Sequence, residues 1–377
     1  MRRIYLDYAS LTPIDPRLLR EIKRYSGTEY ANPSSLYKEG VAARNVLASS
    51  RKTVADAVRA LPDEIIFTSG GTEANALALE GVVRAARARG LTKPHLIIST
   101  IEHSSVIETA AMLERNGVEV TRIPVDMYGV VSPEEVKKAL RPETILVSVM
   151  HVNNEIGTIQ PIREIAKMVR HARKTFHGDT TDQSRYPLFH TDAAQAPLYL
   201  EIGVEKLGVD MLTLDSAKIY GPRGMGCLYI KRGTPIEPIM YGGGQEKGLR
   251  SGSENIPSIA GFTKAMEMAL KDKDKEVQRR EELKSFFIAE LHKIRADIQI
   301  NPATTQVDPD RRGTGSFVPE IVKQAPHILN VSIPGIDNEF FLFQLDAHGV
   351  SISTKSSCLR DEDESYVLKA IGANNKT

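Results

Sequence analysis

The sequence predicts an α/β protein, a mostly parallel sheet covered by helices, joined to a smaller α+β part. Three observations carry that expectation. Strand-length apolar runs alternate with helical patterns from about residue 60 to 230. One long helical pattern takes over after about residue 255. Two strand patterns then return, near 328–333 and 350–353.

The expected strands are 64–68, 95–99, 118–121, 144–149, 187–190, 211–214 and 226–230. Between them, 72–89, 105–116, 133–140 and 161–174 have helical spacing, with Pro133 and Pro161 where a first helical turn tolerates proline. Strands alternating with helices in this way favour parallel pairing with both faces covered. Residues 256–294 read as a single helix whose charge run (Lys271 to Glu276, Arg279 to Glu282) is a solvated face. Residues 302–326 are polar and rich in Gly and Pro, and read as a long loop. The expected division is a large part over 14–255 and a smaller one formed by 1–13 with 256–377.

Composition excludes several classes. The 377 residues carry 49 Lys and Arg against 48 Asp and Glu, a net charge of +1 that gives no reason to expect nucleic acid or an acidic membrane surface as partner. No apolar run reaches the ~18–20 residues of a membrane span. Met1-Arg2-Arg3-Ile4 lacks an apolar stretch behind its basic residues, so a signal peptide is not expected and the cytoplasm is the expected location. Cys227 and Cys358 are too few for a disulfide scaffold. Each is then core filler or a reactive thiol.

Three motifs carry chemistry. In Thr68-Ser69-Gly70-Gly71-Thr72-Glu73 a strand ends, two glycines turn the chain and Thr72 opens a helix. That is either an anion cradle suited to phosphate or a tight turn without a ligand. In His190-Thr191-Asp192-Ala193-Ala194-Gln195 a strand delivers an acid. Asp192 either pairs with a protonated ring nitrogen or caps the turn that follows. In Asp215-Ser216-Ala217-Lys218-Ile219-Tyr220-Gly221-Pro222 a lysine stands between an apolar strand and a Gly-Pro turn. Alone it reads as a surface residue, but a sheltered amine also forms a Schiff base with an aldehyde. A phosphate cradle, an acid and a lysine on one sheet are together what pyridoxal 5'-phosphate requires.

At this point the sequence resembles the cysteine desulfurases of the class V aminotransferase family, with the fold-type I architecture of pyridoxal-phosphate enzymes. The resemblance runs from Tyr5-Leu6-Asp7-Tyr8-Ala9 to Ser365-Tyr366-Val367-Leu368. Its most specific blocks are Thr100-Ile101-Glu102-His103, Met150-His151-Val152-Asn153-Asn154-Glu155-Ile156-Gly157, Lys218-Ile219-Tyr220-Gly221-Pro222 and Arg250-Ser251-Gly252-Ser253-Glu254-Asn255. It implies that Lys218 bonds the cofactor aldehyde and Asp192 partners the ring nitrogen. Gly71 and Thr72 would hold the phosphate, joined by Ser253 from the second subunit of a homodimer. His103 would stack on the ring and assist proton transfer, whereas by itself it reads as a satisfied core histidine. Asn154 and Gln195 would contact the substrate and the cofactor oxygen.

Cys358, in Ser353-Thr354-Lys355-Ser356-Ser357-Cys358-Leu359-Arg360, matches the family's nucleophilic cysteine, and Lys355 and Arg360 favour a thiolate. Cys227, in an apolar strand pattern, is expected to be buried filler. The implied reaction converts L-cysteine to L-alanine and leaves a persulfide on Cys358. An iron–sulfur scaffold or a tRNA-thiolation protein would then take the sulfur. No metal ligand set is expected.

Two departures from the family pattern stand out. The family reads Ser-x-His-Lys where this chain has Asp215-Ser216-Ala217-Lys218. Ala217 removes a phosphate donor, Asp215 brings a negative charge, and Ser216 is the expected substitute hydroxyl. Each lost charge-assisted bond weakens phosphate binding by about 1–3 kcal/mol. The family also continues into a Ser-Ile-Arg-x-Ser-like strand whose arginine clamps the substrate carboxylate, and this sequence ends at Thr377. Both departures leave a second reading open: an impaired paralogue that serves as a binding or assembly subunit for a sulfur-carrier partner. The stretches 178–186 and 303–318 are expected as lengthened surface loops.

Overall fold

The computed structural model describes residues 3–177, 185–302, 323–354 and 365–373. Cys358, Lys355, Arg360, residues 303–318 and most of the 178–186 loop lie outside the described residues.

The elements in chain order are β1 (Ile4–Tyr5), α1 (Leu19–Lys23), α2 (Lys38–Val58), β2 (Ile65–Thr68), α3 (Gly71–Ala88), β3 (His95–Ser99) and α4 (Ser104–Arg115). There follow β4 (Glu119–Ile123), α5 (Pro133–Ala139), β5 (Thr144–Ser148), α6 (Ile162–His177), β6 (Leu188–Asp192), α7 (Val204–Leu207), β7 (Met211–Asp215) and β8 (Gly226–Ile230). The last are α8 (Ile256–Ile294), β9 (Gln299–Asn301), β10 (Asn330–Ser332), α9 (Asn338–Ala347), β11 (Val350–Ser351) and α10 (Tyr366–Ala370).

Seven strands form the central sheet in the order β2-β8-β7-β6-β5-β3-β4. β4, β3, β5, β6 and β7 pair in parallel, and β8 runs antiparallel to both β7 and β2. Strands β2, β3, β5, β6 and β8 are buried along their whole length. That is the signature of a sheet covered on both faces, and it explains their unbroken apolar runs.

One face packs on α2, α6 and the first turns of α8, through Leu47, Val54, Ile165, Val169, Phe262 and Met266. The other packs on α3 and α4, through Leu77, Val82, Val106 and Leu113. The 256–294 helix has the bounds the sequence implies. Its first turns are buried with the sheet, while Phe286 and Ile294 are exposed. Its second half therefore leaves the sheet. β1 pairs with β11, which ties the N-terminus to the C-terminal part.

Helix α2 has no counterpart in the sequence reading. Its buried face includes Gly40, Ala43 and Ser50 alongside Leu47, Val54 and Val58. Small and polar residues at core positions blunt the periodic signal.

Candidate active site

The C-terminal ends of the parallel strands open onto one site, as expected for this topology. Strand β7 ends at Asp215, whose carboxylate Oδ1 accepts the Ala217 N–H at 2.8 Å and caps a single tight turn, Ser216–Lys218. The amine of Lys218 donates to the carbonyls of Ala9 (3.0 Å) and Ser10 (2.5 Å). Thr12 pins that N-terminal loop to the lysine turn. Its hydroxyl donates to the Ala217 carbonyl at 2.8 Å and accepts the Tyr220 N–H at 2.8 Å. Beside the lysine, burial pushes the Asp7 carboxyl up, while Ser10 and the Lys218 charge oppose the shift.

Asp192 ends β6 and is buried. Its Oδ1 accepts the Ala194 N–H at 2.9 Å, which is the capping role, and its Oδ2 accepts from Asn75 Nδ2 at 2.7 Å. The other hydrogen of the same amide reaches Ser105 Oγ at 2.9 Å. Ser105 Oγ lies 2.8 Å from His103 Nδ1, which also accepts the Ser105 N–H at 3.1 Å as the cap of α4. With Nδ1 an acceptor, the hydrogen-bond network puts the neutral imidazole's proton on Nε2. Burial lowers the His103 pKa; Asp192 and Asp215 oppose the shift and Lys218 adds to it, so all three charges act on this ring.

Gln195 uses its amide elsewhere. Its Nε2 donates to the Ala9 carbonyl at 2.8 Å, and its Oε1 lies 3.1 Å from His327 Nε2. His327 is stacked on Tyr199 with ring centroids 4.0 Å apart, and burial pushes its pKa down to about 3. Asn154 Oδ1 is buried without a hydrogen-bond partner, an acceptor left over for a ligand. Neighbouring Asn153 holds the backbone turn instead, its Oδ1 accepting the Glu155 and Ile156 N–H groups.

The cradle forms where β2 meets α3. Gly70 adopts φ 145°, open only to a residue without Cβ, and Gly71 begins the helix. Thr72 is exposed beside it. The Gly71 N–H is already engaged, donating to Asp215 Oδ2 at 3.0 Å. Glu73 in the same turn accepts from Arg250 Nε at 2.9 Å, which tethers the loop that carries the exposed Ser253. Ser216 follows Asp215 in the tight turn. Its hydroxyl is buried without a partner and lies against Gly221, where an added Cβ would come within 2.1 Å of it.

The structure thus gathers Lys218, His103 and Asp192 and sets Gly71 beside Asp215. The residues fit pyridoxal phosphate at its reactive end: an amine, an imidazole and a buried acid act on one another, and Asn154 offers an unpartnered buried acceptor. Sequence reasoning missed Asn75, Thr12 and the Ala9 carbonyl. Only Asn75 left a signal, standing one turn after Thr72 on the same helix. Cys227 is a free thiol buried in β8, and burial pushes its pKa far up.

Comparison with known proteins places the chain in a family. The family model for aminotransferase class-V matches residues 4–371. The cysteine desulfurase IscS of Dictyoglomus turgidum is 40% identical over 372 residues, 98% of this chain and 86% of that protein. The cysteine desulfurase IscS 1 of Archaeoglobus fulgidus is 38% identical, covering 99% of this chain and 88% of that one. Among solved structures, a NifS-like protein superimposes with a TM-score of 0.84 at 33% identity, covering 99% of this chain and 91% of its own. SspA in complex with cysteine does so with a TM-score of 0.76 at 31% identity, covering 99% and 95%. The chain belongs to the class V aminotransferases and, within them, to the pyridoxal-phosphate-dependent cysteine desulfurases.

Proposed function

We propose that this desulfurase converts L-cysteine to L-alanine and takes the sulfur onto Cys358 as a persulfide, for delivery to an iron–sulfur scaffold or a tRNA-thiolation protein. The observation that carries the reading is the convergence of Lys218, Asp192 and His103 around one site, with Asn75 bridging the last two. A relative bears cysteine in its solved complex, which supports the substrate.

Pyridoxal phosphate, when bound, supplies an aldehyde for the substrate amine and a ring that takes up the electron pair released at Cα. The protein's residues do the rest. Asp192, its charge held by Asn75 and the Ala194 N–H, stabilises positive charge at a ring nitrogen. Lys218 Nζ leaves the Ala9 and Ser10 carbonyls to move the proton from Cα, and His103 holds one on Nε2. Asn154 Oδ1 accepts from the substrate portion. Cys358 Sγ attacks the substrate sulfur: the S–S bond forms, the C–S bond breaks, and its electron pair stays on the carbon that is protonated to give alanine.

Cys358 precedes Ser365 by seven residues, a tether of at most ~25 Å. Ser365 Oγ donates to Glu155 at 2.5 Å and Tyr366 Oη to the Glu102 carbonyl at 2.5 Å, next to His103. That anchor supports access of the thiol to the site.

Phosphate contacts from Gly71, Thr72 and a partner's Ser253, in a cytoplasmic homodimer, complete the reading, with 14–255 as the large part and 1–13 with 256–377 as the smaller. Among the described residues no helix is long and apolar enough to cross a membrane.

The decisive experiment follows alanine release and persulfide labelling with L-cysteine. Cys358→Ser should lose the label and nearly all alanine release, and Lys218→Ala should lose both with its visible absorbance. Unchanged alanine release in Cys358→Ser would remove the thiol from the reaction.

A further inference from the structure

We propose that Asp215 is a resident anion in the phosphate cradle, so that the cofactor's phosphate must displace a carboxylate to bind. The inference deepens the cofactor site proposed above and concerns what this chain's own residues do there.

The geometry is specific. Helix α3 opens at Gly71 with its positive end, the place where a fold of this kind takes an anion. The Gly71 N–H points instead at Asp215 Oδ2, 3.0 Å away. A Cβ built on Gly71 would lie 3.1 Å from the same oxygen and 3.4 Å from the Asp215 Cβ, so the side chain fills the space over the helix end. The other carboxylate oxygen is fixed by the Ala217 N–H at 2.8 Å, which locks the side chain across the cradle. Among the described residues neither Lys nor Arg makes an ion pair with Asp215, so backbone donors and the helix end are what hold its charge. The Ser216 hydroxyl, next in sequence, is buried against Gly221.

A phosphate entering this space meets a like charge within a few ångströms and a donor already in use, and both effects weaken it. Turning the Asp215 side chain away frees the Gly71 N–H at the expense of the Ala217 cap. This chain should therefore hold its cofactor mainly through the lysine bond and the ring contacts. The phosphate should contribute little, and the preference for pyridoxal phosphate over unphosphorylated pyridoxal should be shallow.

The test uses the full chain stripped of cofactor, with Asp215→Ser and Asp215→Asn, both able to keep a cap on Ala217. Inorganic phosphate should raise the melting temperature of both variants clearly more than that of the native chain. Absorbance titration should show pyridoxal phosphate binding tightened by about tenfold or more in the variants, with pyridoxal binding nearly unchanged. Equal phosphate stabilisation in all three proteins, or an unchanged ratio of the two affinities, overturns the proposal. If phosphate behaves as expected while neither pyridoxal compound binds any of the three, the cofactor reading fails and the role of Asp215 stands.

Discussion

Asn75 Nδ2 donates to Asp192 Oδ2 at 2.7 Å across 117 positions of sequence, and the same amide reaches Ser105 Oγ beside His103. One side chain on the second turn of α3 therefore sets both the acid at the end of β6 and the imidazole at the start of α4. Its own Oδ1 is buried without a partner, so its orientation serves the two bonds it donates.

Asn75→Ala should accordingly lower kcat for alanine formation by about 10–100-fold, the loss expected when a buried carboxylate gives up a charge-assisted bond worth ~1.5–3 kcal/mol. KM should move less than kcat, because Asn75 acts through Asp192 and His103. The pH dependence of the cofactor's visible band should shift as well, which a merely structural role would not cause. A kcat within twofold of the native value contradicts the bridge.

Glu246 is a structural counterpart at the sheet edge. Its carboxylate takes both guanidinium nitrogens of Arg51, at 2.5 and 2.7 Å, and the Phe67 N–H at 2.8 Å. The Glu246 side chain is only 2% exposed, so it anchors the glycine-rich loop to β2 from within the protein. Glu246→Ala strands a buried guanidinium and a backbone donor and should cost ~3–5 kcal/mol in urea unfolding. Glu246→Gln should cost less, since one oxygen still accepts.

The contrast between these residues shows what the sequence made legible. Asp192 and Gly71 stand out in sequence because a strand end and a glycine turn mark them, whereas Lys218 gains meaning only beside those two motifs and His103 only through the family resemblance. Asn75 reaches Asp192 across 117 positions and Glu246 reaches Phe67 across 179, and although Asn75 stands one turn after Thr72, no local pattern marks either bond. The Ala9 and Ser10 carbonyls that hold Lys218 carry no side-chain signal at all. Asp215 was legible as a charge near the phosphate, whereas its grip on the Gly71 N–H required the fold. Ser216 reads as a hydroxyl donor in sequence, and only the fold shows that the tight turn at Lys218 sets its unpartnered hydroxyl against Gly221.

The two cysteines should separate chemically. Cys227 is fully buried in β8 and burial pushes its pKa up, so it stays a thiol and resists alkylation until the protein unfolds. Iodoacetamide on the native protein should label about one thiol per chain, with Cys358 as the site. Cys227→Ala should leave the labelling and the activity in place while lowering stability modestly. Rapid labelling of Cys227 in the native state would contradict its packing.

Stability should peak near neutral pH for a reason visible in a set of buried histidines and one buried carboxyl. Burial pushes His95 and His151 down to about 4 and His190 to about 3, all from 6.5. Below pH 6.5 the unfolded chain binds protons that the folded chain refuses, so each of these histidines lowers stability by up to about 1.4 kcal/mol per pH unit on the acid side. Glu102 works in the opposite sense. Burial raises its carboxyl from 4.5 to about 8, although Ser99 and the Met150 N–H donate to it. Between pH 4.5 and 8 the folded state keeps a proton that the unfolded state has lost, so stability falls with rising pH through that window. With His327, also pushed down to about 3, stability should climb from pH 4.5 to 6.5, where four histidines outweigh one carboxyl, and decline from 6.5 to 8. Glu102→Gln keeps an oxygen for both donors and removes the titration, so it should flatten the alkaline decline and leave the acid limb intact. Urea midpoints measured from pH 4.5 to 8.5 check both limbs. An alkaline slope that survives in Glu102→Gln assigns that limb to another group.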